Sequence, residues 1–85
     1  MARKLLYVEW LDHTSQSSDG RWVSKEQLDK SAPEACGTIG WLYKEDDLSL
    51  TLISTVGIGK DSDDDFGGDM TILQSCITKR KLIKF

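Results

Sequence analysis

The segment from residue 36 to residue 55, CGTIGWLYKEDDLSLTLIST, constrains the fold more than any other part of this chain. Two runs rich in β-branched and aromatic residues are joined by the charged tetrapeptide KEDD. In the second run Leu48, Leu50 and Leu52 alternate with serine, threonine and isoleucine, which is the pattern of a strand with one buried face. β-Branched and aromatic residues also favour strand over helix. The segment therefore predicts a β-hairpin with an acidic tip.

A further strand is predicted near the start of the chain. In LLYVEWLD, the side chains of Leu6, Val8 and Trp10 fall on one face, and those of Tyr7 and Glu9 fall on the other. This pattern predicts a half-buried strand at about residues 4 to 11. The polar stretch that follows, DHTSQSSDG, ends in an Asp-Gly turn signal and predicts a long exposed loop.

The next stretch, RWVSKEQLDKSAPEA, carries two different signals. Trp22 and Val23 suggest a short strand, because aromatic and β-branched residues favour that conformation. SKEQLDK begins like a helix, with Ser24 as the N-cap and Gln27 at the third helical position. A single helical turn that ends before Pro33 accommodates both signals.

The end of the chain, MTILQSCITKRKLIKF, predicts a strand, a tight turn near LQS and a final strand. The whole pattern predicts an all-β fold: a small antiparallel five-stranded barrel with one short helical turn, formed by residues 1–85 as a single domain. A domain of this size buries only a little over ~60% of its unfolded surface, so we expect a thin core. Closing the sheet into a barrel would also remove its exposed edges.

The apolar run at the start of the chain is too short for a signal peptide or a membrane span, because Glu9 and Asp12 interrupt it. We therefore expect a cytosolic protein without membrane association. In a reducing compartment, Cys36 and Cys76 are expected to be buried thiols rather than a disulfide. Two cysteines and one histidine also fall short of the four close ligands of a structural zinc site.

Charge is segregated along the chain. Residues 1–44 hold six acidic and six basic residues, residues 45–69 hold eight acidic residues and one basic residue, and residues 70–85 hold four basic residues and no acidic one. The basic tail can fold beside the acidic segments, or the molecule can present two faces of opposite sign. The sequence leaves both arrangements open.

The order of these elements resembles that of Src-homology-3-like barrels, with a long first loop, a second loop, a central hairpin and one tight helical turn before the last strand. The segment TILQSCITKRKL is similar to the part of such barrels where an apolar strand meets that turn, although many members have proline where Leu73 stands. The chain also resembles a family of small tailed-phage proteins, through VEWLD, GRW, GWLYKEDD, LSLTLIS and MTILQSCITK in that order. The resemblance implies a phage source and this barrel fold, and it implies no activity.

The aspartate-rich segment KDSDDDFGGD is a candidate metal loop. Asp61, Asp63 and Asp65 have the spacing of the first three ligands of an EF-hand. Phe66 then occupies the position that needs glycine, and Ile72 stands where the bidentate glutamate is required. We therefore predict a solvated connector without a specific metal site, and millimolar calcium should leave the melting temperature unchanged.

Three tryptophans are more than a chain of this length needs for packing. Trp10 and Trp41 fall within strand patterns and are predicted core residues, whereas Trp22 follows a turn and is predicted to be a partly exposed aromatic anchor. The ligand groove of Src-homology-3-like barrels lies between the first two loops and is lined by aromatic residues. The resemblance therefore implies Tyr7, Trp22 and Tyr43 as groove residues. The alternative for each of these side chains is packing inside the domain.

The basic tail, TKRKLIKF, is a candidate site for phosphate groups. Lys79, Arg80, Lys81 and Lys84 are predicted to form a small basic patch, to which Phe85 adds a stacking surface. The net charge of the chain is −3, whereas domains that bind long nucleic acid are usually basic overall. We therefore do not expect long nucleic acid as a partner, and a small nucleotide is easier to accommodate.

No catalytic constellation stands out in the sequence. His13 lies beside Asp12 in a serine-rich loop that lacks an oxyanion-hole motif, so we interpret it as an ordinary loop residue. We expect no enzyme activity and no cofactor. The sequence predicts a phage accessory module that binds a host protein in the host cytoplasm, for host takeover or for defence against host immunity. The alternative is an oligomer that binds a nucleotide and sequesters a host signalling molecule.

Overall fold

The computed structural model describes residues 3–14, 22–59 and 65–85. These residues form one antiparallel sheet with the strand order β4-β3-β2-β1-β5. The predicted all-β class, with five antiparallel strands, is therefore confirmed. The elements are β1 (Leu5–Asp12), α1 (Lys25–Asp29), β2 (Glu34–Glu45), β3 (Ser49–Val56), β4 (Phe66–Leu73), a single 3₁₀ turn (Gln74–Cys76) and β5 (Ile77–Ile83).

The predicted hairpin is formed by β2 and β3, and Asp46 organises its acidic tip. The Asp46 carboxylate accepts hydrogen bonds from the backbone N–H groups of Leu48 and Ser49, at 2.9 and 2.8 Å. These hydrogen bonds, with that from Ser49 contributing most, hold the pKa of the Asp46 side chain below its ordinary value. The hairpin and its turn are thus encoded locally.

The other local predictions have mixed outcomes. The first strand, expected at residues 4 to 11, runs from Leu5 to Asp12. The helical turn is α1, and the predicted capping box is present, because Ser24 and Gln27 each bond the other's backbone N–H. Trp22 and Val23, which carried the strand signal, lie in irregular structure before α1.

The sheet curls around a small core. Leu6 and Val8 of β1 pack in one cluster with Leu50 and Leu52 of β3, although β2 lies between these strands. Such contact requires the sheet to bend at β2. Gly40 of β2 permits the bend, because a Cβ atom there would lie 2.9 Å from the Leu52 Cβ. We call the face of the sheet that carries this cluster the inner face. The core is therefore a curled layer of side chains on the inner face.

The sheet is not closed into a complete barrel. Within the described ranges β4 pairs with β3 and β5 pairs with β1, and β4 and β5 do not pair with each other. Met70 on β4 and Leu82 on β5 lie on the inner face, opposite Leu52 and Leu6, yet they are 40% and 45% exposed. Closure of the barrel, which would have removed both edges, is therefore not reached.

The molecule is elongated. Its radius of gyration is 16.9 Å and its principal extents are 56 × 25 × 24 Å, whereas a compact chain of this length has a radius of gyration of about 12 Å. Residues 22–33, which we call the arm, precede β2 and include α1, and none of them is buried. The arm therefore adds nothing to the core.

Candidate functional site

The aromatic residues of β2 lie on the outer face of the sheet, opposite the core. Leu42 packs against the core, so alternation directs the preceding Trp41 to the outer face. Tyr43 lies at a register shift between β2 and β3, and it lines the outer face together with Thr51 and Phe66. Trp41 is half-buried there, and its ring lies 5.9 Å from the ring of Phe85 in an edge-on contact. The prediction that Trp41 is a core residue is therefore wrong, because the strand places it on the wrong face.

Trp10 of β1, by contrast, packs against the core cluster as predicted. Its indole Nε1–H donates to the Thr38 hydroxyl of β2 at 3.0 Å. The indole thus buries its apolar ring and keeps a partner for its polar group.

A second aromatic contact on the outer face holds Tyr43 in place. The ring of Tyr43 lies 5.1 Å from the ring of Phe66 on β4. The guanidinium of Arg3 lies 5.3 Å from the Tyr43 centroid and 5.1 Å from the Phe66 centroid, in cation–π geometry. The sequence analysis missed Arg3 and Phe66, because this contact depends on the register shift at Tyr43 and on the pairing of β3 with β4.

The three groove residues implied by the resemblance do not lie in one groove. Tyr7 lines a depression together with Ile39 and Lys81. Tyr43 lines a different depression, together with Phe66 and other residues of β3 and β4. The indole of Trp22 is 101% exposed and stands on the arm. The structure therefore offers three separate surfaces in place of a single aromatic groove.

The basic tail is divided between the two faces of the sheet. In β5, Lys79 lies opposite Glu9, and Lys81 lies opposite Tyr7 on the outer face. Arg80 lies opposite Val8 on the inner face. Strand alternation therefore separates Arg80 from the two lysines. Of the four bases of the predicted patch, Lys81 and Lys84 line one depression, and Arg80 lies on the other face.

Arg80 takes part in a contact that joins the end of β2 to β5. Its two terminal nitrogens donate to the two carboxylate oxygens of Glu45, with Nη2 to Oε1 at 3.2 Å. The side chain of Gln74 adds hydrogen bonds to Glu45 Oε2 at 2.9 Å and to the Asp46 carbonyl at 3.1 Å. Hydrogen bonds from Arg80 and then from Gln74 hold the pKa of Glu45 below its ordinary value. Arg80 is therefore a structural residue of the sheet.

We expect Glu45→Gln to reduce stability at neutral pH and to have little effect in acid. A carboxyl whose pKa is lowered in the folded state stabilises the fold above its unfolded pKa, and this stabilisation is lost as the pH falls through the folded value. Because the pair is partly exposed, the cost at pH 7 should be about 1 kcal/mol. Urea denaturation of wild type and variant at neutral and acidic pH measures it, with Glu26→Gln on the exposed arm as the control. An equal deficit at both pH values would contradict this role.

The remaining candidates are less informative about function. Cys36 and Cys76 are free thiols as predicted, but each is half-buried, whereas buried thiols were expected. Burial raises the pKa of the Cys36 thiol, and the charges of Asp12 and Glu34 add to this effect, which favours the protonated form. Asp61 and Asp63 of the aspartate loop lie outside the described residues. Within the described part of the chain, no helix is long and apolar enough to cross a membrane.

His13 lies in the exposed segment after β1, and its backbone N–H donates to the Asp12 carboxylate at 2.8 Å. This contact is local and involves the backbone alone. The interpretation of His13 as an ordinary loop residue stays a prediction.

Comparison of the chain with protein families, with curated proteins and with solved structures finds no match.

Proposed function

We propose that this protein is a non-enzymatic binding module that engages another protein through its arm. The observation that carries this proposal is the position of Trp22, whose side chain is 101% exposed on an arm without a buried residue. Tryptophan is among the residues that most often dominate the energy of protein interfaces. A large apolar side chain held entirely in water contributes nothing to the fold, so its use lies in contact with a partner.

The local structure of the arm supports this use. A helix as short as α1 is marginal in water by itself. Here the capping box of Ser24 and Gln27 closes its first turn, and Lys25 forms an ion pair with Asp29 at 2.8 Å. Leu28, which is 60% exposed, adds a second apolar side chain to the arm. The arm therefore exposes apolar side chains, and its own hydrogen bonds and ion pair help to order the helix beside them.

The tailed-phage motif order makes a host protein the proposed partner. In that setting the protein acts in the host cytoplasm, as an accessory factor for takeover of the host or for defence against host immunity. These assignments rest on the sequence resemblance together with the exposed arm.

The experiment is the substitution Trp22→Ala, with binding and stability measured side by side. Because the indole is fully exposed, the melting temperature should change little, as is usual for surface substitutions. Loss of an aromatic hot spot should weaken partner binding by about 2 kcal/mol or more, which is roughly 30-fold. Affinity capture from a host lysate identifies the partner, and titration with the purified partner measures the loss.

Phe85→Ala is the matched control, because Phe85 is a second aromatic residue that is 94% exposed. Phe85 follows Ile83, which lies opposite Leu5 at one end of β1, whereas the arm leads into Glu34, which lies opposite Asp12 at the other end. It should retain the captured partner. A Trp22→Ala protein that binds as well as wild type would contradict the proposal. An unfolded Trp22→Ala protein would show that the indole packs against the domain.

A nucleotide-binding oligomer is the second candidate, and one depression favours it. This depression has a volume of about 620 Å³ and is lined by Tyr7, Ile39, Lys81, Leu82, Ile83 and Lys84. It combines an aromatic ring with two ammonium groups, which suits a base and a phosphate. However, the Tyr7 hydroxyl donates to Glu9 Oε2 at 2.6 Å, so a carboxylate stands beside the site and would repel phosphate. We therefore place this candidate second.

A nucleotide that binds this depression should stabilise the folded protein. At a hundredfold excess over its dissociation constant, the gain is about 2.7 kcal/mol. Thermal denaturation with a panel of mononucleotides and cyclic dinucleotides measures it. A stabilisation that Lys81→Ala removes would place this candidate first, and a panel without effect would exclude it.

A further inference from the structure

The inner apolar layer of the sheet continues to both edges, and no described element covers it there. Met70 at the β4 edge is 40% exposed, whereas its cross-strand partner Leu52 is 1% exposed. Leu82 at the β5 edge is 45% exposed, whereas its partner Leu6 is 3% exposed. At each edge, therefore, an inward-facing apolar side chain stands beside a core residue and remains in contact with water.

The chain exposes more surface than a compact monomer of the same mass. The accessible surface is 6920 Å² for a chain of 9.6 kDa. A compact monomer of this mass exposes about 5,100 Å², so the chain exceeds that value by roughly a third. Part of this excess is the surface of the arm, in which no residue is buried, and the exposed edges of the sheet contribute as well.

The residues of the two edge strands are opposite in charge, and the guanidinium of Arg3 lies over the Phe66 ring of β4. β5 carries Lys79, Arg80 and Lys81, whereas β4 carries Asp69 and no basic residue. Cross-strand pairing through β3, β2 and β1 places Asp69 on the same outer face as Lys79 and Lys81. Two β5 edges would bring lysines against lysines, which is unfavourable. A β4 edge beside a β5 edge brings opposite charges together.

We propose that the open β4 edge of one copy of this chain associates with the open β5 edge of a second copy. This contact extends the sheet, joins the inner layers through Met70 and Leu82, and sets Asp69 against the lysines of β5. Because the two edges differ, the contact is head-to-tail, and each copy has two of them. The product is a ring or a linear chain. This interface is separate from the arm that carries Trp22.

The test measures the mass of the purified full-length chain by light scattering across a dilution series. Wild type should have a mass of at least twice the 9.6 kDa of one chain. Asp69→Lys and Lys81→Glu each place like charges at the interface, so each should raise the dissociation constant by about tenfold or more. Lys81 is chosen because Lys79 lies opposite Glu9 in its own chain. The double variant, Asp69→Lys with Lys81→Glu, restores opposite charges and should reassociate.

A further variant tests the apolar layer. Met70→Glu puts a carboxylate into the proposed joint layer and should dissociate the assembly, whereas Leu48→Glu in the exposed β2–β3 turn should not. Circular dichroism verifies that each variant keeps its fold. A wild-type chain that is monomeric throughout the series, or a double variant as dissociated as the single ones, would overturn the proposal. Trp22→Ala should leave the mass unchanged, so failure of this proposal is distinguishable from failure of the arm as a binding site.

Discussion

Leu50→Ala is expected to lower the free energy of unfolding by about 2 to 5 kcal/mol, the range for truncating a buried leucine. Leu50 is 0% exposed and lies in the cluster that joins β1, β3 and β4. Its removal costs the transfer energy of the lost methine and methyl groups and leaves a cavity in a core with few other members. Small domains have total stabilities of about 5 to 15 kcal/mol, so the variant should be close to unfolding at room temperature.

Leu48→Ala is the matched control for this prediction. Leu48 belongs to the same alternating run but lies in the turn before β3 and is 70% exposed. Its truncation should change the free energy of unfolding by no more than about 0.5 kcal/mol. Urea denaturation of both variants gives the comparison. Equal losses for Leu48→Ala and Leu50→Ala would contradict the assignment of the inner face.

Gly40→Ala is the second substitution with a large expected effect. The added Cβ would lie 2.9 Å from the Leu52 Cβ and 3.1 Å from the backbone oxygen of Ile53. Both neighbours belong to the paired strand β3, so neither can move without disturbing the sheet. Overpacking of this kind costs about 1 to 3 kcal/mol, which exceeds the gain of about 0.4 to 1 kcal/mol from restricting the unfolded chain. We expect a net loss of stability and a less curled sheet.

Gly67→Ala is the control for this prediction, and it is expected to cause no loss of stability. A Cβ at Gly67 would lie 3.5 Å from the Thr55 Cβ, which is ordinary van der Waals contact. The entropic gain should then dominate, and the variant should be unchanged or slightly stabilised. Chemical denaturation of the two glycine variants shows whether each substitution raises or lowers the free energy of unfolding. A Gly40→Ala protein as stable as Gly67→Ala would show that β2 and β3 do not require the close approach at residue 40.

The proposed interface and the proposed arm use different parts of the molecule. The arm lies between β1 and β2, whereas the interface uses β4 and β5 at the two edges of the sheet. An assembly of this kind would present one Trp22 from each copy. If one partner molecule binds several copies of Trp22 at once, the effective concentration of each further site is high. The overall binding is then stronger, although each copy makes the same contacts as before.

The sequence by itself determined the features that depend on neighbours within a few residues. The alternating leucines predicted β3, the box of Ser24 and Gln27 predicted α1, and LQS predicted the 3₁₀ turn. Side-chain alternation and N-capping act over two to four residues, so a local pattern contains nearly all of the information that they need.

The tertiary structure alone decided which side chains meet. Arg80 pairs with Glu45 across 35 positions of sequence, and Arg3 lies over the ring of Phe66 at the far edge strand. Trp41 lies on the outer face because the register of β2 places Leu42 in the core. These contacts depend on strand order, on register and on the bend at Gly40, which are properties of the whole sheet. A one-residue change of register would exchange the faces of a strand, so no single segment encodes them.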